Sequence, residues 1–315
     1  MPKKKKTMPR FINPYTDFGF KKLFSEEASK DLLIDLLNTL LPKKHQIKTL
    51  TFRDPEQLGT SASDRRAVFD VYCENAKKEP FIVEMQRAEQ EYFKDRSVYY
   101  SAHPIREQGQ RGKGWSYCLK TVYFIGILDF VFEPEEDVPT LIHEVSLKDK
   151  HGKEFYDKLQ YIYVQMPVFD KTESELTTRQ DKWFYFLKNL PDLDRIPSIL
   201  KEDVFQKAFH KAEYAALPKV DQRQYEQELD DYRTYMSTIR KAEQDGLAVG
   251  LAKGKAEGRA EGRAEGRAEG EAKGRVEGAT SKAIAIAQSM KKKGLDPALI
   301  AEMTGLTADE VKRLK

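Results

Sequence analysis

Cysteine is nearly absent from the chain, and the two that occur, Cys73 and Cys118, are far apart and form no CxxC motif. Their scarcity argues against a disulfide-stabilised scaffold and against a cysteine-based zinc site. A long apolar run is also lacking, because the longest, residues 122–132, is interrupted by Asp129 and is too short to span a bilayer. We therefore expect a protein of a reducing cytoplasm with no membrane-spanning segment and no membrane partner.

An excess of positive charge is lacking in the middle of the chain. Residues 1–16 carry five basic side chains and no acidic one, whereas residues 17–249 hold 35 basic and 41 acidic residues. The net charge of +3 therefore comes from the two ends. Contact with nucleic acid would need a local group of residues or the tails. Because no apolar segment follows the N-terminal lysines, we expect residues 1–16 to be a disordered basic tail and not a signal peptide.

The 315 residues are 40% apolar and 11% aromatic, which is enough for a substantial core. Apolar residues at helical spacing predict two short helices that end at Pro42, a helical stretch over residues 87–117, and helices throughout from Asp181. Six segments predict strands: residues 48–53, 65–75, 81–86, 119–132, 140–147 and 159–166. The pattern indicates a mixed α/β core over residues 17–180 followed by a helical subdomain over residues 181–245.

A glycine recurs at every fourth position from Gly246 to Gly278, with GRAEGRAEGRAEG at the centre of the run. In a helix each glycine costs about 1 kcal/mol relative to alanine, and the Arg and Glu side chains fall in like-charged columns four residues apart. A lone helix over residues 246–278 is therefore weak. Two alternatives remain: a flexible spacer, or a helix stabilised by a second copy of the chain, which would make the repeat a homo-oligomer interface.

Residues 279–315 predict a small tail of two short helices. Ala301, Gly305 and Val311 have the spacing by which two helices pack across a tight turn in helix-turn-helix units. The second helix would begin with Asp309 and Glu310, which would face phosphates badly. Docking to protein and binding to DNA therefore both remain open for this tail.

The segment FDVYCENAKKEPFIVEMQ, residues 69–86, predicts two antiparallel strands joined by a polar turn. With the turn centred on Lys77, one face holds only apolar pairs: Phe69 with Met85, Val71 with Val83, and Cys73 with Phe81. The opposite face holds three further pairs: Asp70 with Glu84, Val68 with Gln86, and Tyr72 with Ile82.

Two carboxylates directly opposite each other in a hairpin repel and need a reason to be there. A divalent cation supplies one, because Mg²⁺ takes oxygen ligands and is commonly held by one or two carboxylates. Glu84 and Gln86, two residues apart on one strand, would point to the same side as Asp70. The alternative is that this face of the sheet is exposed to solvent.

Several segments in their order along the chain resemble the PD-(D/E)XK nuclease superfamily and, more narrowly, its recombination-promoting nuclease and transposase family. They are NPYTDFGFKKLF, Asp70 with Glu-x-Gln fourteen residues later, YFKDRSVYYSA, GWSYCLKTVYFIGILDF and the glycine-tetrad tail. The resemblance covers about residues 11–278. It implies a restriction-endonuclease-like mixed-sheet core flanked by helices, with the repeat as a long C-terminal extension.

The resemblance also implies roles for individual residues. Asp70 and Glu84 would hold Mg²⁺, or Mn²⁺ in its place, and Gln86 stands where the superfamily usually has lysine. Glutamine carries no charge and cannot act as a base, which puts the catalytic rate in doubt. Asp17 would be an additional acid, with Glu26 as second choice, although Asp17 could equally cap the first helix.

Arg96, near Tyr92 on the following helix, would bind a DNA phosphate or form an ordinary salt bridge. His103 and His143 lack the spacing of metal ligands, and we expect them to be structural. With these residues, the resemblance implies a metal-dependent DNA endonuclease associated with recombination or transposition. The alternative is a catalytically weakened member of the same fold that binds DNA or protein.

Overall fold

The computed structural model describes residues 8–57, 67–88, 90–109, 116–132 and 139–314. The described chain divides into two compact units, one ending at Thr234 and one beginning at Tyr235. The predicted disorder of residues 1–7 lies outside the described residues.

Six strands form the main sheet of the first unit, and two short strands pair separately. The strands are β1 (Leu50–Phe52), β2 (Glu56–Gln57), β3 (Ala67–Val68), β4 (Val71–Asn75), β5 (Pro80–Gln86), β6 (Val122–Leu128), β7 (Ile142–Lys148) and β8 (Glu154–Gln165). The main sheet has the order β1-β4-β5-β6-β8-β7. Pairs β5/β6 and β6/β8 are parallel and the others antiparallel, so the predicted mixed sheet is confirmed with the six predicted strands in it.

Eight α-helices accompany the sheets in the described residues. They are α1 (Asp17–Phe24), α2 (Lys30–Leu40), α3 (Phe93–Glu107), α4 (Arg179–Asn189), α5 (Asp203–Ala212), α6 (Lys219–Lys292), α7 (Pro297–Thr304) and α8 (Ala308–Arg313). None of the helices in the described part of the chain is both long and apolar enough to cross a membrane.

One face of the main sheet packs against α1, α2, α4, α5 and the start of α6 in a single hydrophobic core. Phe11 and Ile12 are buried in this core and the backbone of Ile12 bonds to Ala212, so residues 11–16 differ from the predicted tail. The predicted boundary at residue 181 also differs from the structure. The helices after it share their core with the sheet, because they supply the layer that buries this face.

The other face of the main sheet is covered by α3 through a second, aromatic-rich cluster. Two hydroxyl pairs fasten α3 to β8: Ser97 lies 2.6 Å from the Tyr163 oxygen, and Ser101 lies 2.8 Å from the Tyr161 oxygen. Phe69 belongs to this second cluster and not, as predicted, to the first face. The chain bends at Asp70 between β3 and β4, which breaks the strand alternation on which that prediction depended.

The second unit consists of most of α6 together with α7 and α8. The helix runs unbroken through the glycine repeat, and the side chains of residues 241–282 are exposed. A flexible spacer is therefore not what the structure shows. At the end of the chain, Ala287, Ile300 and Val311 bury a small core of their own, and Gly305 takes a left-handed φ of 72° in the turn between α7 and α8.

Candidate active site

The β4–β5 hairpin places Asp70 beside Glu84. Val71 pairs with Val83 and Cys73 with Phe81, as predicted. One step beyond this ladder, the Asp70 N–H donates to Glu84 Oε1 at 3.2 Å, and the Met85 N–H donates to Asp70 Oδ2 at 2.7 Å. Each carboxylate is therefore held by the main chain of the opposite segment.

The carboxylate pair is covered by protein, so the alternative of a solvent-exposed face is wrong. Glu84 is 3% exposed and Asp70 is partly buried. The residue beside Glu84 on β6 is Gly126. The Tyr163 ring lies so close to Gly126 that a Cβ at this position would be 3.0 Å from the ring atom Cδ1. The same tyrosine binds Ser97 of α3, so the helix is anchored to the sheet next to the carboxylates.

Burial raises the pKa of both acids. Burial, assisted by the charge of Asp17, raises the pKa of Asp70 to about 6. Burial raises the pKa of Glu84 well above its usual value, and the negative charge of Asp70 adds to this effect. Arg96 on α3 opposes both shifts, and Lys21 on α1 opposes that of Asp70. The protein thus keeps two carboxylates where their ionisation is unfavourable.

Gln86 points to the same side as Glu84, as the strand alternation predicts. Its Nε2 donates to Glu84 Oε2 at 3.2 Å. The interaction leaves Gln86 as a neutral hydrogen-bonding group beside the pair and adds no positive charge.

Asp17 lies near the pair, since its charge contributes to the raised pKa of Asp70. Its expected alternative role as a helix cap is wrong, because Thr16 caps α1 by accepting the Gly19 N–H at 2.9 Å. Both Asp17 oxygens contact the Lys21 ammonium, at 2.8 and 2.9 Å. Glu26, the second choice, forms ion pairs with Lys22 and Lys211.

Arg96 lies in the first turns of α3, where its charge acts on both carboxylates, and Tyr92 directly precedes this helix. Arg96 Nη1 donates to Gln90 Oε1 at 2.5 Å, and its guanidinium rests on the rings of Phe93 and Tyr100. Tyr92 is 64% exposed and free to meet a ligand. The structure thus brings Asp70, Glu84 and Arg96 into one electrostatic cluster.

Two protein-family models match parts of the chain. Residues 14–242 match the PD-(D/E)XK nuclease family transposase model, and residues 280–315 match the C-terminal helix-turn-helix domain of the Rpn/YhgA-like nuclease family. The first match covers more than half of the chain, so the chain belongs to the PD-(D/E)XK nuclease family transposases. The first match includes α1, the hairpin and α3, which together carry the candidate site. No curated protein and no solved structure matches the chain significantly.

Nucleases of the PD-(D/E)XK family typically use divalent metals. The side chains of the candidate site can therefore be compared with the ligands that such a metal needs. Among the residues that the structure describes, no group of three or more His, Cys, Asp or Glu side chains is placed to hold a metal ion. The two carboxylates nevertheless suit Mg²⁺, which commonly takes one or two carboxylates and completes its shell with water and phosphate oxygens. A dication would also relieve the repulsion between Asp70 and Glu84.

Two residues near this candidate site are not predicted from the sequence. In the sequence Lys21 is one residue of a helical pattern, and only the packing of α1 shows that its charge acts on Asp70. Asp129 was noted as an interruption of an apolar strand; its N–H donates to the Gln86 carbonyl at 2.8 Å, and its carboxylate accepts from the Tyr232 hydroxyl at 3.3 Å. No local spacing signals either role, because both depend on long-range packing.

The two histidines set aside from the sequence have ordinary packing contacts. The His103 ring packs edge-on against Phe69 and Tyr99. His143 Nε2 lies 2.8 Å from Gln165 Nε2.

Proposed function

We propose that the chain is a metal-dependent DNA endonuclease that acts in recombination or transposition. The observation that supports this proposal best is the pair Asp70 and Glu84, held by reciprocal main-chain hydrogen bonds in a buried place that disfavours their charges. Perturbed pKa values cluster at functional sites, where burial and neighbouring like charges shift them. The helix-turn-helix match adds a DNA-binding element to the same chain.

Asp70 and Glu84 would hold Mg²⁺, with Mn²⁺ as a substitute. The bound ion would polarise the phosphate and lower the pKa of a bound water. The water oxygen forms a bond to phosphorus as one P–O ester bond breaks. The proton that water loses passes to solvent, and the departing ester oxygen takes up a proton from solvent. This displacement needs no covalent protein intermediate.

The other residues of the site would position the substrate. Gln86 can orient a water molecule by hydrogen bonding but cannot accept its proton as a base. Arg96 carries a fixed positive charge for a backbone phosphate, and the exposed ring of Tyr92 offers a surface for the sugar or base beside it. Since both Asp17 oxygens contact Lys21, we assign Asp17 no metal-binding role.

The proposal is tested by cleavage of supercoiled plasmid DNA with Mg²⁺ or Mn²⁺. Asp70→Asn and Glu84→Gln keep the shape of each side chain and are expected to lower the cleavage rate by about 100-fold or more. Glu79→Gln is the matched control, because Glu79 is also a buried carboxylate but bonds to Asn75 at the turn of the same hairpin. Equal cleavage rates for wild type and Asp70→Asn would contradict the proposed endonuclease activity.

A second candidate function is that of a DNA-binding protein with weakened catalysis. The hydrogen bond between Gln86 and Glu84 favours it, since this amide is engaged and the position lacks a charge. This alternative predicts DNA binding by the wild type, no cleavage with either metal, and unchanged DNA affinity in Asp70→Asn. Metal-dependent cleavage that Asp70→Asn abolishes would exclude it.

We further propose that the glycine repeat of α6 joins copies of the chain. The proposal is supported by a helix whose glycines, from Gly246 to Gly278, have no atom within 4 Å of where a Cβ would lie. Sedimentation equilibrium is expected to show a homo-oligomer that Gly262→Leu weakens by obstructing close approach. A wild-type protein that remains monomeric at all concentrations would contradict the proposal.

A further inference from the structure

The two charges of Asp70 and Glu84 would neutralise a bound dication, which leaves no net positive charge at the site for a phosphate substrate. Asp70 and Glu84 are acidic, and Gln86 adds no charge. A phosphodiester brings a further negative charge, and more negative charge develops on its oxygens during hydrolysis. Preorganised cations beside such a group commonly contribute about 100-fold or more to the rate. The site therefore needs a positive side chain that can reach the phosphate.

We propose that the Lys21 ammonium of α1 binds the scissile phosphate beside the Asp70–Glu84 pair and offsets the negative charge that develops on it. This role rests on the nuclease function proposed above. Lys21 would donate a hydrogen bond to a non-bridging phosphate oxygen and keep its proton throughout. Asp17 would be a positioning residue that acts through Lys21.

A chain of contacts places the beginning of α1 at the end of β5. The Tyr232 hydroxyl interacts with Asn13, which precedes α1, and with Asp129 at 3.3 Å. The Asp129 N–H in turn donates to the carbonyl of Gln86, two residues from Glu84. The electrostatic interaction between Lys21 and Asp70 agrees with this placement.

The start of α1 is held firmly, which fixes the position of Lys21. Thr16 caps the helix, and the Phe18 N–H donates to Glu228 Oε2 at 2.6 Å. Lys21 lies one turn later, and both Asp17 oxygens contact its ammonium. The Lys21 side chain is 37% exposed, so it is accessible to a ligand while its ammonium remains oriented.

Neighbouring cations are less suited to this role. The Arg96 guanidinium is bonded to Gln90 and rests on two aromatic rings, which restricts its movement. Lys22, the next residue of α1, points instead toward Glu26 and Asp221, with oxygens at 3.0 and 3.1 Å. Lys22 therefore offers a matched control on the same helix.

The experiment compares wild type, Lys21→Met and Lys22→Met in the full chain. It measures plasmid cleavage with Mg²⁺ or Mn²⁺, and Mn²⁺ affinity without DNA by calorimetry. Lys21→Met is expected to lower the maximal cleavage rate by about 100-fold. The same substitution should leave Mn²⁺ affinity equal or raise it, because it removes a positive charge near the carboxylates. Lys22→Met should cleave within about threefold of wild type.

A purely structural role for Lys21 would give a different result, since a distorted site would lose Mn²⁺ affinity together with cleavage. That joint loss would overturn the inference. It would also be overturned if Lys21→Met cleaves within about threefold of an active wild type, or if Lys22→Met loses as much activity as Lys21→Met. A wild type that cleaves with neither metal would instead reject the proposed nuclease function itself.

Discussion

At the scale of one residue, the buried charge of Asp70 lowers the stability of the folded protein. Its carboxylate accepts the Met85 N–H, a contact that favours ionisation, yet burial dominates and raises its pKa to about 6. The pKa of an aspartate in an unfolded chain is about 4. Between these two values the folded protein binds more protons than the unfolded chain. The contribution of Asp70 to stability therefore falls as pH rises through this window, and the penalty is fully present above it.

Asp70→Asn is expected to raise the melting temperature of the metal-free protein at about pH 7.5, by about 2–4 °C for each kcal/mol of relieved penalty. The asparagine oxygen can still accept the Met85 N–H, so the change removes charge while retaining that contact. Scanning calorimetry across pH checks the prediction. The gain should shrink as the pH falls toward about 4, where both the folded and the unfolded wild type protonate Asp70. A stability gain that is independent of pH would contradict it.

Metal binding should compete with protons at the same residues. Mg²⁺ is expected to raise the melting temperature of wild type, because a ligand that binds only the folded state stabilises it. The effect should weaken as the pH falls through about 6, where Asp70 takes up a proton. Titration calorimetry with Mn²⁺ at several pH values measures this directly. An Mn²⁺ affinity that does not change across this range would show that Asp70 is not a ligand.

Helix α1 shows at the scale of one element why a glycine stands at position 19. A Cβ there would lie 2.0 Å from the Asn13 carbonyl oxygen and 2.8 Å from Thr16 Oγ1. The tight approach lets Thr16 cap the helix and sets the direction in which Asp17 and Lys21 leave it. The segment before α1 is thus the structural basis for the positions of Asp17 and Lys21.

Gly19→Ala is expected to destabilise the protein by about 2 kcal/mol and to lower cleavage, since the backbone must shift to admit the methyl group. Gly262→Ala is the matched control: a Cβ there meets nothing within 4 Å. Relief of the glycine penalty should then stabilise the helix locally by about 1 kcal/mol. Denaturant unfolding and circular dichroism measure the two effects. Equal stability of Gly19→Ala and wild type would refute the close contact.

The glycines of α6 recur at every fourth residue, and this spacing constrains how a second helix can pack along them. Four residues advance about 400° around a helix, or about 40° beyond a full turn. The glycine stripe therefore winds around α6 in a right-handed sense, and a second helix that follows it must wind the same way. The like-charged columns beside the stripe repel within one helix but can be paired by opposite charges on another.

At the scale of the whole molecule, the chain combines a region that matches the PD-(D/E)XK nuclease family model with a C-terminal region that matches a helix-turn-helix domain. In α8, Glu310 accepts the Thr307 N–H and hydroxyl, which commits it to capping the helix. The hydrogen bonds from Thr307 lower the pKa of Glu310, so Glu310 stays charged and both it and Asp309 remain as the predicted acidic obstacle to phosphate binding. Lys312 and Arg313, in the last turn, are exposed.

Lys312→Ala and Arg313→Ala are each expected to weaken binding to DNA of any sequence and to lower the slope of log affinity against log salt by about 1. Asp309→Asn should have the opposite sign and strengthen binding, because it removes a negative charge from the same short helix. Fluorescence anisotropy at several salt concentrations checks all three variants. Unchanged affinities would favour protein docking as the role of this domain.

The sequence by itself determined the hairpin register, the six strands of the sheet and the family, because alternation, turn chemistry and ordered motifs are local properties. Tertiary structure decided which residues meet at the site. It buried Glu84, turned Phe69 to the other face at the bend before β4, and drew residues 11–16 into the core. It also placed Lys21 where its charge acts on Asp70. Such encounters depend on long-range packing, in which α1 and the hairpin meet although some fifty residues separate them, and no periodicity along the chain records that meeting.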